Sequence, residues 1–241
     1  MSTLPAHELE RLRAVAPDEA DLTDLVARRL AGEPLQYLEG SAAFGPFDLM
    51  VDRRVLVPRP ETEGLWELAR RLVDAPAVIV DLCTGSGALA IALSDSFPAA
   101  RVMGTDLSTA ALQVARANGV AHAPRVEWFH GDLFDALDPA LAGSVDLIIA
   151  NPPYVATSEW GRLPADVRHE PRMALVSGPT GLEILRRIAS ESPAWLAPGG
   201  VVACEIGETQ GEAVRELFSG FQSVEIRADL QGRDRYVVAG T

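Results

Sequence analysis

Residues 78–93 read "VIVDLCTGSGALAIAL". A short β-rich run gives way at Cys83-Thr84-Gly85-Ser86-Gly87 to a glycine-rich turn, and "ALAIALSDSF" then takes up a helical period. Glycine at 85 and 87 permits a tight turn and lets a ligand approach the backbone. Nineteen residues past Gly87 the next β-rich run, "RVMGTDL", ends in Asp106. A carboxylate there is placed to take the two hydroxyls of a ribose. Gly-x-Gly-x-x-Ala followed by an acid about twenty residues later also satisfies the dinucleotide fingerprint. Alone it does not separate NAD from S-adenosylmethionine. A turn that holds nothing accounts for the glycines but not for the paired acid.

The same alternation continues outward from this stretch. "RVEWFHGDL", "VDLIIANPPY" and "GGVVACEIG" read as strands, and "STAALQVARANGV", "GLEILRRIASESPAWL" and "TQGEAVRELFSGF" as helices, with Ser108 a candidate N-cap. "QSVEIRADL" and "DRYVVAG" follow with only a Gln-Gly turn between them, so they must pair antiparallel. Seven strands alternating in this way predict an α/β fold with a doubly wound, mostly parallel sheet. Upstream, Leu22, Leu25, Val26, Arg29 and Leu30 recur at helical spacing before the stop Gly32-Glu33-Pro34. The expected organisation is a short helical region over 1–34, a β-hairpin linker over 35–60 turning at Gly45-Pro46, and the α/β domain over 61–241 that opens with the proline-led helix "PRPETEGLWELARRLVDA".

Composition narrows the function. The 241 residues are 48% hydrophobic and 23% charged, an ordinary globular balance. Net charge is −13 and all 21 basic residues are arginine. That balance disfavours embracing a phosphate backbone, so no direct nucleic-acid binding is expected. The absence of lysine removes Schiff-base and P-loop lysine chemistry. No apolar run approaches a membrane span and no signal-peptide core is present, which points to a cytoplasmic protein without membrane association. Cys83 and Cys204 lack metal or redox spacing, and His7, His122, His130 and His169 form no ligand set, so no metal is expected.

Two further strand ends carry chemistry. "HGDLF" places Asp132 and Leu133 one strand beyond Asp106, where an adenine would lie. "DLIIANPPY" (146–154) ends an apolar strand on Asn151, Pro152, Pro153 and Tyr154. Two prolines remove two backbone donors and stiffen the tip, which leaves it richer in acceptors than in N–H groups. Ligands of doubly wound sheets bind outside the carboxyl ends of strands where strand order reverses, which brings the Gly85 loop and Asn151 to one ligand. For a methyl donor and a planar NH₂ acceptor, the Asn151 oxygen and the Pro152 carbonyl can grip the two hydrogens and favour a localised lone pair. Tyr154 can pack against the planar group. A dehydrogenase has no use for such a tip.

At this point the sequence resembles the protein-(glutamine-N5) methyltransferases that act on peptide chain release factors. The resemblance rests on "PLQYLEG", "VLVPRPETE", "DLCTGSGALAIAL", Asp106, "NPPY", "DVRHEPRMAL", Gly181-Leu182, "EIGETQG" and "GRDR" together. It implies the class I S-adenosylmethionine-dependent methyltransferase fold. The cofactor would be held by Cys83, Thr84, Gly85, Ser86, Gly87, Asp106, Asp132, Leu133 and Asn151, and the glutamine of a Gly-Gly-Gln motif by Asn151, Pro152, Pro153 and Tyr154. Arg59 to Glu63 would form a roof closing on the cofactor. "NPPY" alone also resembles amino-group methylases of adenine and cytosine in nucleic acids, and a sister family methylates a ribosomal-protein glutamine but departs from "PRPETE". The sequence differs from the family in Cys83 where glycine is common, in Thr180 where an acid is common, and in a shorter helical region before "PLQYLEG".

Overall fold

The computed structural model describes residues 4–241. Residues 1–3 of the expected helical region lie outside the described residues. Helices α1 (Ala6–Val15), α2 (Glu19–Leu30) and α3 (Leu35–Glu39) come first. Asp18 starts α2 by accepting the Ala20 and Asp21 N–H groups at 2.8 and 3.0 Å. Leu12, Leu22, Leu35 and Leu38 bury together as a small core of their own. The sequence predicts a β-hairpin linker from residue 35, yet Leu35–Glu39 is helical. Pro34 sets the entry, and a helical turn brings Leu35 and Leu38, three apart, onto one cluster. Gly40, at φ 77°, ends it in the left-handed region.

The hairpin then forms as β1 (Ser41–Phe44) and β2 (Phe47–Met50), turning at Gly45-Pro46. Helix α4 (Pro60–Leu72) starts with Pro60 in its first turn, where a missing N–H costs nothing. Beyond it the alternation runs β3 (Val78–Leu82), α5 (Ala88–Ser96), β4 (Arg101–Asp106), α6 (Thr109–His122), β5 (Glu127–His130) and β6 (Val145–Ala150). It continues through α7 (Arg172–Leu175), α8 (Glu183–Glu191), β7 (Leu196–Glu205), α9 (Gly211–Leu217), β8 (Ser223–Ala228) and β9 (Asp234–Gly240). Ser108 caps α6 by accepting the Ala111 N–H at 3.1 Å.

The seven main strands lie in the order β5-β4-β3-β6-β7-β9-β8, and only the pairings of β9 are antiparallel. Alternate residues of each strand serve opposite faces. Ile79, Val102, Leu147 and Ile149 pack with α4 and α5, whereas Val80, Leu82, Ile148 and Ala150 pack with α8 and α9. The hairpin side is covered separately, by Val51, Val55 and Val57 against Ala111 and Val114 of α6.

Strand order reverses between β3 and β6, which run parallel with Leu82 opposite Ala150. The next residues, Cys83 and Asn151, therefore leave the sheet at one level although 68 positions separate them.

Candidate active site

A cavity of about 320 Å³ sits over the carboxyl ends of β3, β4 and β6. Its floor begins with Asp81, fully buried on β3. One carboxylate oxygen, Oδ2, accepts the Thr84 hydroxyl at 2.5 Å and the Ala90 N–H at 3.1 Å. The other, Oδ1, is buried without a partner among the described residues, as is the hydroxyl of Thr105. Burial pushes the Asp81 carboxyl up to about 7 against the pull of those two hydrogen bonds, and nearby Asp106 adds to the rise.

The glycine-rich turn is built around Asp106. Its Oδ2 accepts the Gly85 N–H at 2.9 Å and its Oδ1 the Ser108 N–H at 2.8 Å, so one side chain splices the turn to the end of β4. Burial raises its carboxyl, and the two N–H groups oppose the rise. Each oxygen keeps a lone pair for a ligand hydroxyl. A Cβ on Gly85, at φ 56°, would meet only the Cys83 carbonyl, at 4.0 Å, which leaves that side of the turn open to a ligand. Cys83 and Leu133 hold φ values of 57° and 52° on the cavity wall, a conformation that strains non-glycine residues by about 1–3 kcal/mol each.

The roof is the irregular chain after β2, where Arg54, Val55, Leu56 and Pro58 face the cavity. It is pinned from outside. The Tyr37 hydroxyl donates to the Val55 carbonyl, and buried Glu170 accepts the Val57 N–H at 2.9 Å and the Arg59 guanidinium. Within Arg59–Glu63 only Thr62 lines the cavity; Arg59 is engaged by Glu170, and Glu61 pairs with Arg233 at 3.2 Å.

Asn151 closes the wall. Its Nδ2 donates to the Thr62 hydroxyl at 2.9 Å, and Thr62 in turn donates to Glu205 Oε2 at 2.8 Å. The Asn151 Oδ1 has no hydrogen-bond partner among the described residues. Tyr154 turns away from the cavity and donates its hydroxyl to Glu205 Oε1 at 3.1 Å. Gln210 fixes the tip from behind, its amide nitrogen donating to the Tyr154 carbonyl at 2.9 Å and its oxygen accepting the Gly207 N–H at 2.8 Å. Burial drives the Glu205 carboxyl upward, opposed by Thr62, Tyr154 and Arg235.

Of the residues singled out from the sequence, Cys83, Thr84, Gly85, Ser86, Asp106, Asp132, Leu133, Asn151 and Pro153 line this one cavity. Gly87, Pro152 and Tyr154 do not. Gly87 faces the Trp128 ring, which a Cβ there would approach to 2.7 Å, so it serves packing under the turn. Pro152 is buried. Asp132 lines the wall with both oxygens bonded by Arg187, at 2.8 and 2.9 Å. His122, His130 and His169 each bond a backbone carbonyl. Sequence reasoning missed Asp81, Glu205, Gln210 and Glu170, and reached Thr62 only as part of the Arg59–Glu63 roof. The available signal was an acid within or ending an apolar strand, as in "VIVDL" and "VVACE".

Four carboxylates around one cavity, Asp81, Asp106, Asp132 and Glu183, suit a ligand carrying positive charge. S-Adenosylmethionine has a sulfonium, an α-ammonium and a ribose diol, and it fits the donor set. The unpartnered Asp81 Oδ1 can take the ammonium and Asp106 the diol, while the Leu133 side of the wall is apolar enough for a base.

The strand order, the crossover site and this cavity together define a class I S-adenosylmethionine-dependent methyltransferase. Residues 66–166 match the methyltransferase small domain. The chain is 43% identical to a release factor glutamine methyltransferase of Mycolicibacterium smegmatis, over 98% of this chain and 88% of that one. It is 40% identical to the one from Moorella thermoacetica, over 97% and 87%. Among solved structures it is similar to a methyltransferase from Pyrococcus furiosus, with a TM-score of 0.61 at 17% identity over 90% of this chain and 98% of that one. The chain belongs to the release factor glutamine methyltransferases.

Proposed function

We propose that this enzyme methylates the side-chain amide nitrogen (N5) of the glutamine in the Gly-Gly-Gln motif of peptide chain release factors, acting in the cytoplasm on protein rather than nucleic acid. The names of its relatives support the substrate class. The observation that carries the chemistry is the Asn151 amide, whose nitrogen is tied to Thr62 so that its oxygen is left to accept.

A glutamine amide is a poor nucleophile because its nitrogen lone pair is delocalised. Asn151 Oδ1 draws on an N–H bond of that amide and favours rehybridisation, and the stiff Pro152-Pro153 tip holds the acceptor in place. When bound, S-adenosylmethionine supplies an electrophilic methyl on its sulfonium. Asp81, Asp106 and the 83–87 turn fix where that methyl stands, and displacement then requires alignment above all. Net charge of −13 supports a protein substrate over a polyphosphate one.

The test is incubation with a purified release factor and methyl-labelled cofactor, followed by peptide mass spectrometry. One methyl on the Gly-Gly-Gln glutamine is expected, and none on a release factor whose glutamine is alanine. Asn151→Ala should lower turnover by about 10²–10³-fold while the protein stays folded, the scale of losing one preorganised polar contact to the reacting group. Label appearing in RNA instead of protein would overturn the reading.

A further inference from the structure

Asn151 is useful only one way round. With its oxygen toward the cavity it accepts from a substrate N–H; inverted, its NH₂ would meet the substrate's NH₂. The side chain is nearly symmetric in shape, so packing does not choose between the two. What chooses must be the hydrogen-bond partner on the other side.

That partner is the Thr62 hydroxyl, which has a single proton to give. Thr62 Oγ1 lies 2.8 Å from Glu205 Oε2, and Tyr154 Oη lies 3.1 Å from Glu205 Oε1. An ionised carboxylate has no proton to donate, so both hydroxyls must point at Glu205. Thr62 is then left with lone pairs toward Asn151, which must answer with Nδ2–H, as the 2.9 Å contact has it. We infer that Glu205 and Thr62 are positioning residues that select which end of the Asn151 amide faces the substrate. The inference rests on the reading of Asn151 as the acceptor for the substrate nitrogen.

Chain geography supports the assignment. Glu205 ends β7, Thr62 stands in the first turn of α4, and Asn151 follows β6, so the relay joins three elements at the edge of the cavity. Glu205 is 1% exposed and Thr62 4%, which shields both bonds from competing water. A buried acid is expensive to keep at a place where a neutral residue would pack as well, and only an ionised acid accepts on both oxygens with no proton of its own to give.

The relay also has a pH sense. Burial raises the Glu205 carboxyl; Arg235 of β9 favours its charged form, as do the Thr62 and Tyr154 hydroxyls, while Glu61 of α4 disfavours it. Tyr236, opposite Glu205 in the β7–β9 register, faces it as a neutral phenol. Protonation of Glu205 lets it donate to Thr62, Thr62 then donates to Asn151, and the amide inverts. Methyl transfer should therefore fall as pH falls through the raised Glu205 value.

Four variants test the relay on the intact enzyme: Thr62→Ser, Thr62→Val, Glu205→Gln and Asn151→Ala, each assayed for kcat on a release factor from pH 5.5 to 9 and for cofactor Kd by calorimetry. Thr62→Ser keeps the hydroxyl and should hold kcat within about twofold of wild type. Thr62→Val and Glu205→Gln should each lower kcat about tenfold or more with cofactor Kd changed less than threefold, and Glu205→Gln should lose the acid limb of the wild-type profile. Their combination should be no worse than the weaker single variant, because both break one chain. Full kcat in Thr62→Val, or an unchanged acid limb in Glu205→Gln, overturns the relay while Asn151→Ala remains inactive. Full activity in Asn151→Ala would instead overturn the underlying reading of the asparagine.

Discussion

Asp81 and Asp106 present the same group to the same cavity with different settings. Asp106 has both oxygens engaged by backbone N–H groups, whereas Asp81 keeps one oxygen bare. A carboxyl raised to about 7 in the free protein stays protonated where the unfolded chain would already be ionised. The unfolded state then binds fewer protons between the ordinary carboxylate range and pH 7, so this group makes the free protein less stable as pH rises through that window. A cationic ligand reverses the balance by favouring the ionised form. Cofactor affinity should accordingly drop about tenfold from pH 8 to pH 6, with release of a proton on binding below pH 7; calorimetry in buffers of different ionisation enthalpy reads both. Asp81→Asn should flatten that profile. Asp106→Ala should weaken cofactor binding by about 1.5–3 kcal/mol at all pH values, the scale of hydrogen bonds to a charged group, and unchanged affinity by titration would remove Asp106 from the ligand site.

Between elements, a few polar side chains do the tying. Asn118 of α6 is 2% exposed and holds three partners: its oxygen accepts the Met50 N–H at 2.8 Å, and its nitrogen donates to the Met50 and Ser86 carbonyls at 3.0 and 2.9 Å. One amide thus joins the hairpin to the glycine-rich turn across α6. Asn118→Ala leaves those backbone groups unpaired and should lower stability by about 1–3 kcal/mol, measured by denaturant midpoint at constant slope. Because Ser86 loses its anchor, cofactor affinity should weaken as well. A variant with lowered stability and unaltered affinity would limit Asn118 to the hairpin. Trp128 of β5 works by shape instead, its ring lying so close to Gly87, Gly104 and Gly119 that a Cβ on any of them would come within 2.9 Å.

Across the whole molecule, the apolar residues do not form one continuous core. The sheet has a core on each face, and Leu12, Leu22, Leu35 and Leu38 bury apart from both. That small unit is joined to the cavity roof by Tyr37 to Val55 and by the Arg53–Glu33 ion pair at 2.8 Å. Paired guanidiniums of Arg28 and Arg53 hold the Glu33 carboxyl down at about 2, so this junction persists over the ordinary pH range. A small core with few ties should open by itself. Leu12 is completely buried, and Leu12→Ala should weaken the unit by about 2–5 kcal/mol. Hydrogen exchange should then speed in α1 to α3 while amides of the central strands keep wild-type protection. Uniform acceleration through the sheet would mean that the helical unit and the sheet unfold together.

Local pattern was enough for the alternation of the seven main strands with their longer helices from residue 77 onward, though not for α7, and for the hairpin at Gly45-Pro46; the family resemblance supplied the 83–87 turn and Leu133 among the nine cavity-lining residues from 83 to 153. The alternation and the hairpin follow from spacing along the chain, since side-chain period and turn chemistry are set within a few residues. The sequence also determined that Asn151 and the Gly85 turn meet, because a right-handed crossover leaves one place for the reversal of strand order. Tertiary structure alone decided that β9 inserts between β7 and β8, that Leu35–Glu39 coils toward α1, and that Arg59 pairs with Glu170. It alone assembled Glu205, Thr62 and Asn151, which are separated by 143 and 89 positions along the chain. A hydrogen bond between distant side chains leaves no periodicity to read, and its direction is fixed only when the strands that carry its ends have been laid side by side.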